Sequence, residues 1–90
     1  MIQYDITVKG RVQGVGFRHF ALQQARLFNL KGWIENSANG NVQLRVQGEK
    51  AEADTFVDYL RIGSTRSNVS SVLISSSEIS EPISGFTIRG

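Results

Sequence analysis

The sequence predicts an α+β domain of the ferredoxin-like βαββαβ type: an antiparallel sheet, two helices packed on one of its faces, and a short extra C-terminal strand. Period-two alternation of apolar and polar residues, clearest at 2–9 and 42–47, marks strands with one buried face. Two longer segments carry apolar residues at helical spacing. Their order along the chain is strand, helix, strand, strand, helix, strand. A sheet covered by helices on one side satisfies these patterns together.

Ile2, Tyr4, Ile6 and Val8 alternate with Gln3, Asp5, Thr7 and Lys9, which makes a half-buried first strand. A glycine-rich loop follows. From Arg18 to about Asn29 there is neither Pro nor Gly, and Phe17, Ala21, Ala25 and Phe28 share one helical face. The second strand spans about Lys31 to Asn36. Asn39-Gly40 is a two-residue hairpin signal in which both turn positions take positive φ. Val42, Leu44 and Val46, alternating with Gln43, Arg45 and Gln47, form the third strand. The second helix covers residues 48–61, with Ala53, Phe56, Val57 and Leu60 on its apolar face. Glu49 and Glu52 suit its N-terminus and Arg61 its C-terminus, before Gly63. A polar loop at 63–68 leads to a fourth strand from about Val69 to Ser76, and Phe86 and Ile88 mark the last strand. No repeat or linker interrupts residues 1–90, which are expected to form one domain.

Composition narrows the function classes. A hydrophobic content of 40% is ordinary for a globular chain, and the absence of cysteine removes disulfides, thiolate metal sites and thiol nucleophiles. No apolar run approaches the ~18 residues of a membrane span, and the start MIQYDITVKG lacks the charged and apolar regions of a signal peptide. A cytoplasmic location away from membranes is expected, and in that setting Asn68-Val69-Ser70 matches the glycosylation pattern by chance. Ten bases against eight acids give a net charge of +2, too little for a dedicated nucleic-acid binder. An RNA-binding module shares the βαββαβ order but needs aromatics on its open sheet face. The residues predicted there are Gln3, Asp5, Thr7, Lys9, Gln43, Arg45 and Gln47, none of them aromatic. No nucleic-acid partner is expected.

The chemistry concentrates in Gly10-Arg11-Val12-Gln13-Gly14-Val15-Gly16-Phe17-Arg18, which joins a strand end to a helix start. The first helical N–H groups have no intrahelical partner, and the macrodipole adds about half a positive charge, so the junction favours anions. Glycines let successive N–H groups turn inward and let a ligand approach closely. Arg18 adds a planar fork that matches two phosphate oxygens. The structural alternative is a tight strand–helix turn with Arg18 solvated in the first helical turn. Two familiar glycine motifs are excluded. A Walker A loop needs Lys and Ser/Thr after its last glycine, where this chain has Phe17 and Arg18. A dinucleotide fingerprint needs a glycine where GVGFRH places His19.

GRVQGVGFR at 10–18, GWIENSANGNV at 32–42 and the terminal FTIR together resemble the acylphosphatase family, in the correct order and over essentially the whole chain. The resemblance implies the ferredoxin-like fold, hydrolysis of the carboxyl–phosphate bond of acyl phosphates, and no metal or other cofactor. By the same match, Arg18 is the catalytic arginine. The backbone from Gln13 through Gly14, Val15 and Gly16 to Phe17 cradles the phosphoryl oxygens beside it, and Asn36 positions the attacking water. A monomer acting on a small-molecule acyl phosphate is expected.

Residue chemistry by itself leaves the asparagine open among Asn36, Asn39 and Asn41. Asn39 has a turn role before Gly40 and Asn41 adjoins the turn, whereas no turn obviously needs Asn36. The only histidine is His19, and no histidine–carboxylate pair or metal cluster is apparent. An acyl phosphate leaves as a carboxylate whose conjugate acid has a pKa of ~4, so no general acid is required. What remains is to neutralise the phosphoryl group and place a water in line.

Other residues take structural readings. His19 is a surface residue of the first helical turn, Trp33 a packing residue of the second strand, and Lys9 and Arg11 solvated cations. Glu49, Glu52, Asp54 and Asp58 form a polar helix face. The chain ends Ile88-Arg89-Gly90 where many family members have Ile-Arg-Tyr, and has Gly63-Ser64-Thr65 where many have a Gly-Pro-Pro-like turn. Two further readings use the same site: an inactive module sensing phosphate or a carboxylated ligand, and a domain handling carbamoyl phosphate within a larger carbamoyl-transfer protein. Retention of Arg18 and Asn36 argues against the first.

Overall fold

The computed structural model describes residues 1–90. Its elements are β1 (Ile2–Arg11), α1 (Phe17–Leu27), β2 (Lys31–Asn36), β3 (Val42–Gly48), α2 (Lys50–Ile62), β4 (Asn68–Ser77) and β5 (Phe86–Arg89). The sheet order is β4-β1-β3-β2-β5. The β1–β3, β1–β4 and β2–β3 pairs are antiparallel, as expected. β5 instead runs parallel to β2, so the sheet is mixed. The chain leaves β4 at one edge, crosses to the other and starts β5 from the end where β2 also starts. As a result β1, β2 and β5 all finish at one end of the sheet, where the glycine loop, the β2–β3 turn and Ile88 gather.

Alternation decides what faces the helices. Tyr4, Ile6 and Val8 of β1, Ile34 of β2 and Val42, Leu44 and Val46 of β3 are buried against Ala21 and Ala25 of α1 and Ala53, Phe56, Val57 and Leu60 of α2. Each large side chain so buried stabilises the fold by about 1.5–3 kcal/mol. No helix is long and apolar enough to cross a membrane.

Several boundaries differ from the sequence reading, each for a local reason. α1 stops at Leu27 rather than Asn29 because Asn29 takes φ 56. The N–H groups of Asn29 and Leu30 then bond the carbonyls of Arg26 and Ala25, the Schellman arrangement, with asparagine in the place glycine usually takes. Gly10 belongs to β1, not to the loop: it sits at a register shift against β4, where a Cβ would come 2.2 Å from the Asn68 carbonyl oxygen. The hairpin turn lacks positive φ at Asn39. The Ser37 carbonyl accepts from Gly40 N–H, Ser37 N–H donates to the Asn41 carbonyl, and only Gly40 is left-handed, at φ 93. This is a three-residue loop, a type I turn with a bulge, rather than a two-residue turn.

The open sheet face is less open than its pattern suggests. Gln3 and Gln47 are buried beneath the β4–β5 connection. Gln47 donates to the Gln3 side chain (2.8 Å) and the Glu81 carbonyl (2.9 Å) and accepts from Ile83 N–H (2.8 Å). Trp33 also lies on this face, where its ring packs under the Arg89 guanidinium at 4.0 Å, with Arg45 at 5.9 Å. An aromatic residue is thus present on the open face, contrary to expectation, but arginine already occupies its ring.

At the other face, the Tyr4 hydroxyl donates to Asp54 at 2.5 Å and Lys50 pairs with the same carboxylate at 2.8 Å. These bonds, Lys50 first and Tyr4 second, hold the Asp54 carboxyl below its ordinary value. A carboxyl depressed on folding adds stability above its unfolded pKa of about 4 and loses it as pH falls through the lower folded value. Asp54→Asn is expected to lessen the loss of stability on acidification below about pH 4, read from urea midpoints across pH. An unchanged pH profile would contradict this.

Candidate active site

The loop after β1 is tied down by its apolar residues. Val12, Val15 and Phe17 are buried in the core, and the Ser64 hydroxyl donates to the Val15 carbonyl at 3.2 Å. Between these anchors Gly14 (φ 71) and Gly16 (φ 80) take left-handed conformations on either side of Val15. Such alternation turns consecutive N–H groups toward one concavity. A Cβ at either glycine would meet nothing within 4 Å, so the backbone there faces open space.

The N–H groups of this loop have no backbone partners. None of the ten backbone hydrogen bonds outside the helices and strands is donated by residues 12–16, and the first bond of α1 is from Phe20 N–H to the Gly16 carbonyl. Unpaired donors next to a helix N-terminus attract an anion. α1 carries no acidic residue in its first turn and no side-chain cap, so no internal carboxylate competes for that position.

Val12, Gly14, Gly16, Phe17, Arg18, His19 and Ile88 line an open cavity of about 190 Å³ above the loop. Arg18 is half-buried and takes part in none of the three ion pairs of the structure. His19 is exposed, as expected of a first-turn surface residue, yet it reaches the cavity rim. Ile88, one of the exposed large apolar side chains, also lines the cavity. No group of three or more histidine, aspartate or glutamate side chains comes together anywhere.

Asn36 is not among the lining residues of that cavity. It ends β2 on the same side of the sheet as buried Ile34, directed toward the layer that holds the loop and α1. Its Oδ1 is buried with no hydrogen-bond partner, as is the neighbouring Ser37 hydroxyl. An orphaned buried acceptor is costly unless something else satisfies it. Asn39, by contrast, accepts from Asn41 N–H at 3.1 Å, so its side chain is used in the turn. Gln13 joins the two halves: its Nε2 donates to the Ser37 and Asn41 carbonyls, each at 2.8 Å.

Gly14, Gly16, Phe17 and Arg18 therefore share one cavity, whose lining includes neither Asn36 nor Gln13, while the Gln13 side chain ties the loop to the turn that follows Asn36. Ile88, the Ser64 anchor and the Gln13 amide bridge were not identified as site features from sequence. A hydroxyl in a loop and an isoleucine in a terminal strand carry no pattern that marks them.

The acylphosphatase family model matches residues 4–88, nearly the whole chain, including the loop and both ends of the cavity wall. The chain belongs to the acylphosphatase family. An acylphosphatase of Chlorobaculum tepidum is 39% identical over 83 residues, which is 92% of this chain and 90% of the relative. The crystal structure of acylphosphatase from Bacillus subtilis superposes with a TM-score of 0.98 at 37% identity, covering all of both chains. A crystal structure of full-length HypF in a phosphate- and nucleotide-bound form matches with a TM-score of 0.84 at 29% identity, over all of this chain but only 12% of that one. The acylphosphatase fold thus occurs both as a chain of this length and as a module of a larger protein.

Proposed function

We propose that the chain is a metal-independent acylphosphatase, which hydrolyses the carboxyl–phosphate bond of a small-molecule acyl phosphate to a carboxylate and inorganic phosphate. The observation that carries this reading is a loop at 12–16 whose N–H groups have no backbone partner and whose Val12, Gly14 and Gly16 line one cavity with Arg18, a cation with no carboxylate partner. Family membership supplies the reaction class.

In this reading the N–H groups from Gln13 to Phe17 and the Arg18 fork hold the phosphoryl oxygens and neutralise their charge. Asn36 accepts from a water through its otherwise unsatisfied Oδ1 and holds it in line with the phosphorus. The water oxygen bonds to phosphorus as the bond to the acyl oxygen breaks, and the electron pair leaves on the carboxylate. The water's proton passes to a phosphoryl oxygen, so no side-chain base is consumed. A carboxylate with a conjugate-acid pKa of ~4 leaves unprotonated, which is why a site without a paired histidine suffices. The bound group sheds its charge onto donors already in place, so little reorganisation opposes the reaction.

The test is phosphate release from benzoyl phosphate in the presence of chelator, comparing wild type with Asn36→Ala. Metal-independent turnover is expected, with kcat lowered ~10²-fold in the variant and inhibition by inorganic phosphate little changed. A folded wild type that releases no phosphate would overturn the assignment.

A further inference from the structure

The resemblance gives Gln13 a role through its backbone N–H, but its side chain is committed elsewhere. Its two amide hydrogens go to the Ser37 and Asn41 carbonyls, both at 2.8 Å. Those carbonyls stand at the two ends of the β2–β3 turn, where Ser37 N–H also bonds the Asn41 carbonyl at 2.9 Å. No other hydrogen bond joins residues 12–16 to residues 36–41. The residue next to Ser37 is Asn36, whose buried Oδ1 has no partner. β1 and β2 are not neighbours in the sheet, because β3 separates them. The relative placement of the loop and the end of β2 is therefore not set by direct strand pairing, and the Gln13 amide spans that gap.

We propose that the Gln13 side chain is a positioning residue that holds the Asn36 end of β2 in register with the phosphate-binding loop. This rests on the acyl-phosphate reading above, since it assigns Gln13 to water alignment rather than to phosphate affinity. A displacement of about 1 Å in a reacting group costs up to ~10²-fold in rate, so two bonds that fix this separation have kinetic weight. Ground-state binding of phosphate needs the loop and Arg18 but not Asn36. The proposal thus separates kcat from phosphate affinity, which a general structural contribution would not do.

The experiment measures kcat for benzoyl phosphate and the competitive inhibition constant of inorganic phosphate in wild type, Gln13→Met, Asn36→Ala and the double variant. Methionine keeps the length of the side chain and the backbone N–H while removing both donors. Gln13→Met is expected to lower kcat at least ~10-fold with the inhibition constant within ~2-fold of wild type. Because Gln13 acts through Asn36, the double variant is expected to be no slower than Asn36→Ala by more than ~2-fold. Unchanged kcat in Gln13→Met, an inhibition constant that rises in step with the loss of kcat, or losses that multiply in the double variant would each overturn the proposal. Should Gln13→Met fail to fold by circular dichroism, Gln13→Asn, one methylene too short to span the gap, carries the same comparison. A wild type without turnover overturns the acyl-phosphate reading itself; an active wild type with multiplying losses overturns only the role of Gln13.

Discussion

Arg18→Ala is expected to keep its fold and to lower kcat/KM for benzoyl phosphate by at least ~10²-fold. The fold survives because the side chain is half-buried at the start of α1 and makes no ion pair, so its removal leaves no buried partner behind. The rate falls because the phosphoryl group then faces only N–H dipoles, and the one full positive charge lining the cavity with no anionic partner is gone. Loss of a single donor from an oxyanion site costs about 2.7–4 kcal/mol, and a guanidinium that bonds two oxygens belongs in the upper part of that range. Arg18→Lys is expected to recover only part of the loss, because an ammonium supplies the charge without the fork. Phosphate inhibition should weaken alongside, in contrast to Asn36→Ala. Turnover that survives in folded Arg18→Ala would leave an enzyme whose phosphate site lies elsewhere.

Gly32→Ala is expected to produce the largest loss of stability of any glycine in the chain, more than ~4 kcal/mol. Gly32 has φ 145, and a Cβ there would lie 1.8 Å from the Arg45 carbonyl oxygen and 2.8 Å from its carbon. It pairs with Val46 on one side and Phe86 on the other, so β2 has no free direction in which to move. A domain of this size is stable by only about 5–13 kcal/mol, and such a loss removes roughly a third or more of that margin. Gly14→Ala and Gly16→Ala make the useful comparison. An added Cβ meets nothing at either, and the cost is the left-handed backbone alone, about 1–2 kcal/mol. Those variants are expected to stay folded and lose activity, whereas Gly32→Ala unfolds at a far lower urea midpoint. A Gly32→Ala protein with the wild-type midpoint would contradict the β2–β3 register.

The contrast among these glycines shows what sequence made legible. Gly14 and Gly16 lie beside Arg18 before an amphipathic helix, and that order alone identifies a loop able to meet an anion. Gly32 lies in a strand segment with no local mark, because the demand on it comes from a carbonyl of Arg45, distant in sequence. Gly10 was grouped with the loop for a related reason: its close neighbour is Asn68 in β4, which composition near residue 10 does not announce. Alternation identified the buried faces of β1 and β3 correctly but not the cover over Gln3 and Gln47, which depends on where residues 78–85 cross. The direction of β5 followed from the same crossing. Within the site, Arg18 was legible from local chemistry, whereas Asn36 was singled out by family resemblance. The geometric sign at Asn36 is an unpaired atom, and an unpaired atom has no signature in sequence.

The account depends most on one claim, that the backbone from Gln13 to Phe17 with Arg18 receives a phosphate group. Titration of the ¹⁵N-labelled protein with inorganic phosphate, followed amide by amide, tests it without relying on turnover. The account predicts the largest saturable shifts at the N–H groups of Gly14, Val15, Gly16, Phe17 and Arg18, and loss of saturation in Arg18→Ala. Saturable shifts centred elsewhere, or none at this loop in folded protein, would contradict it.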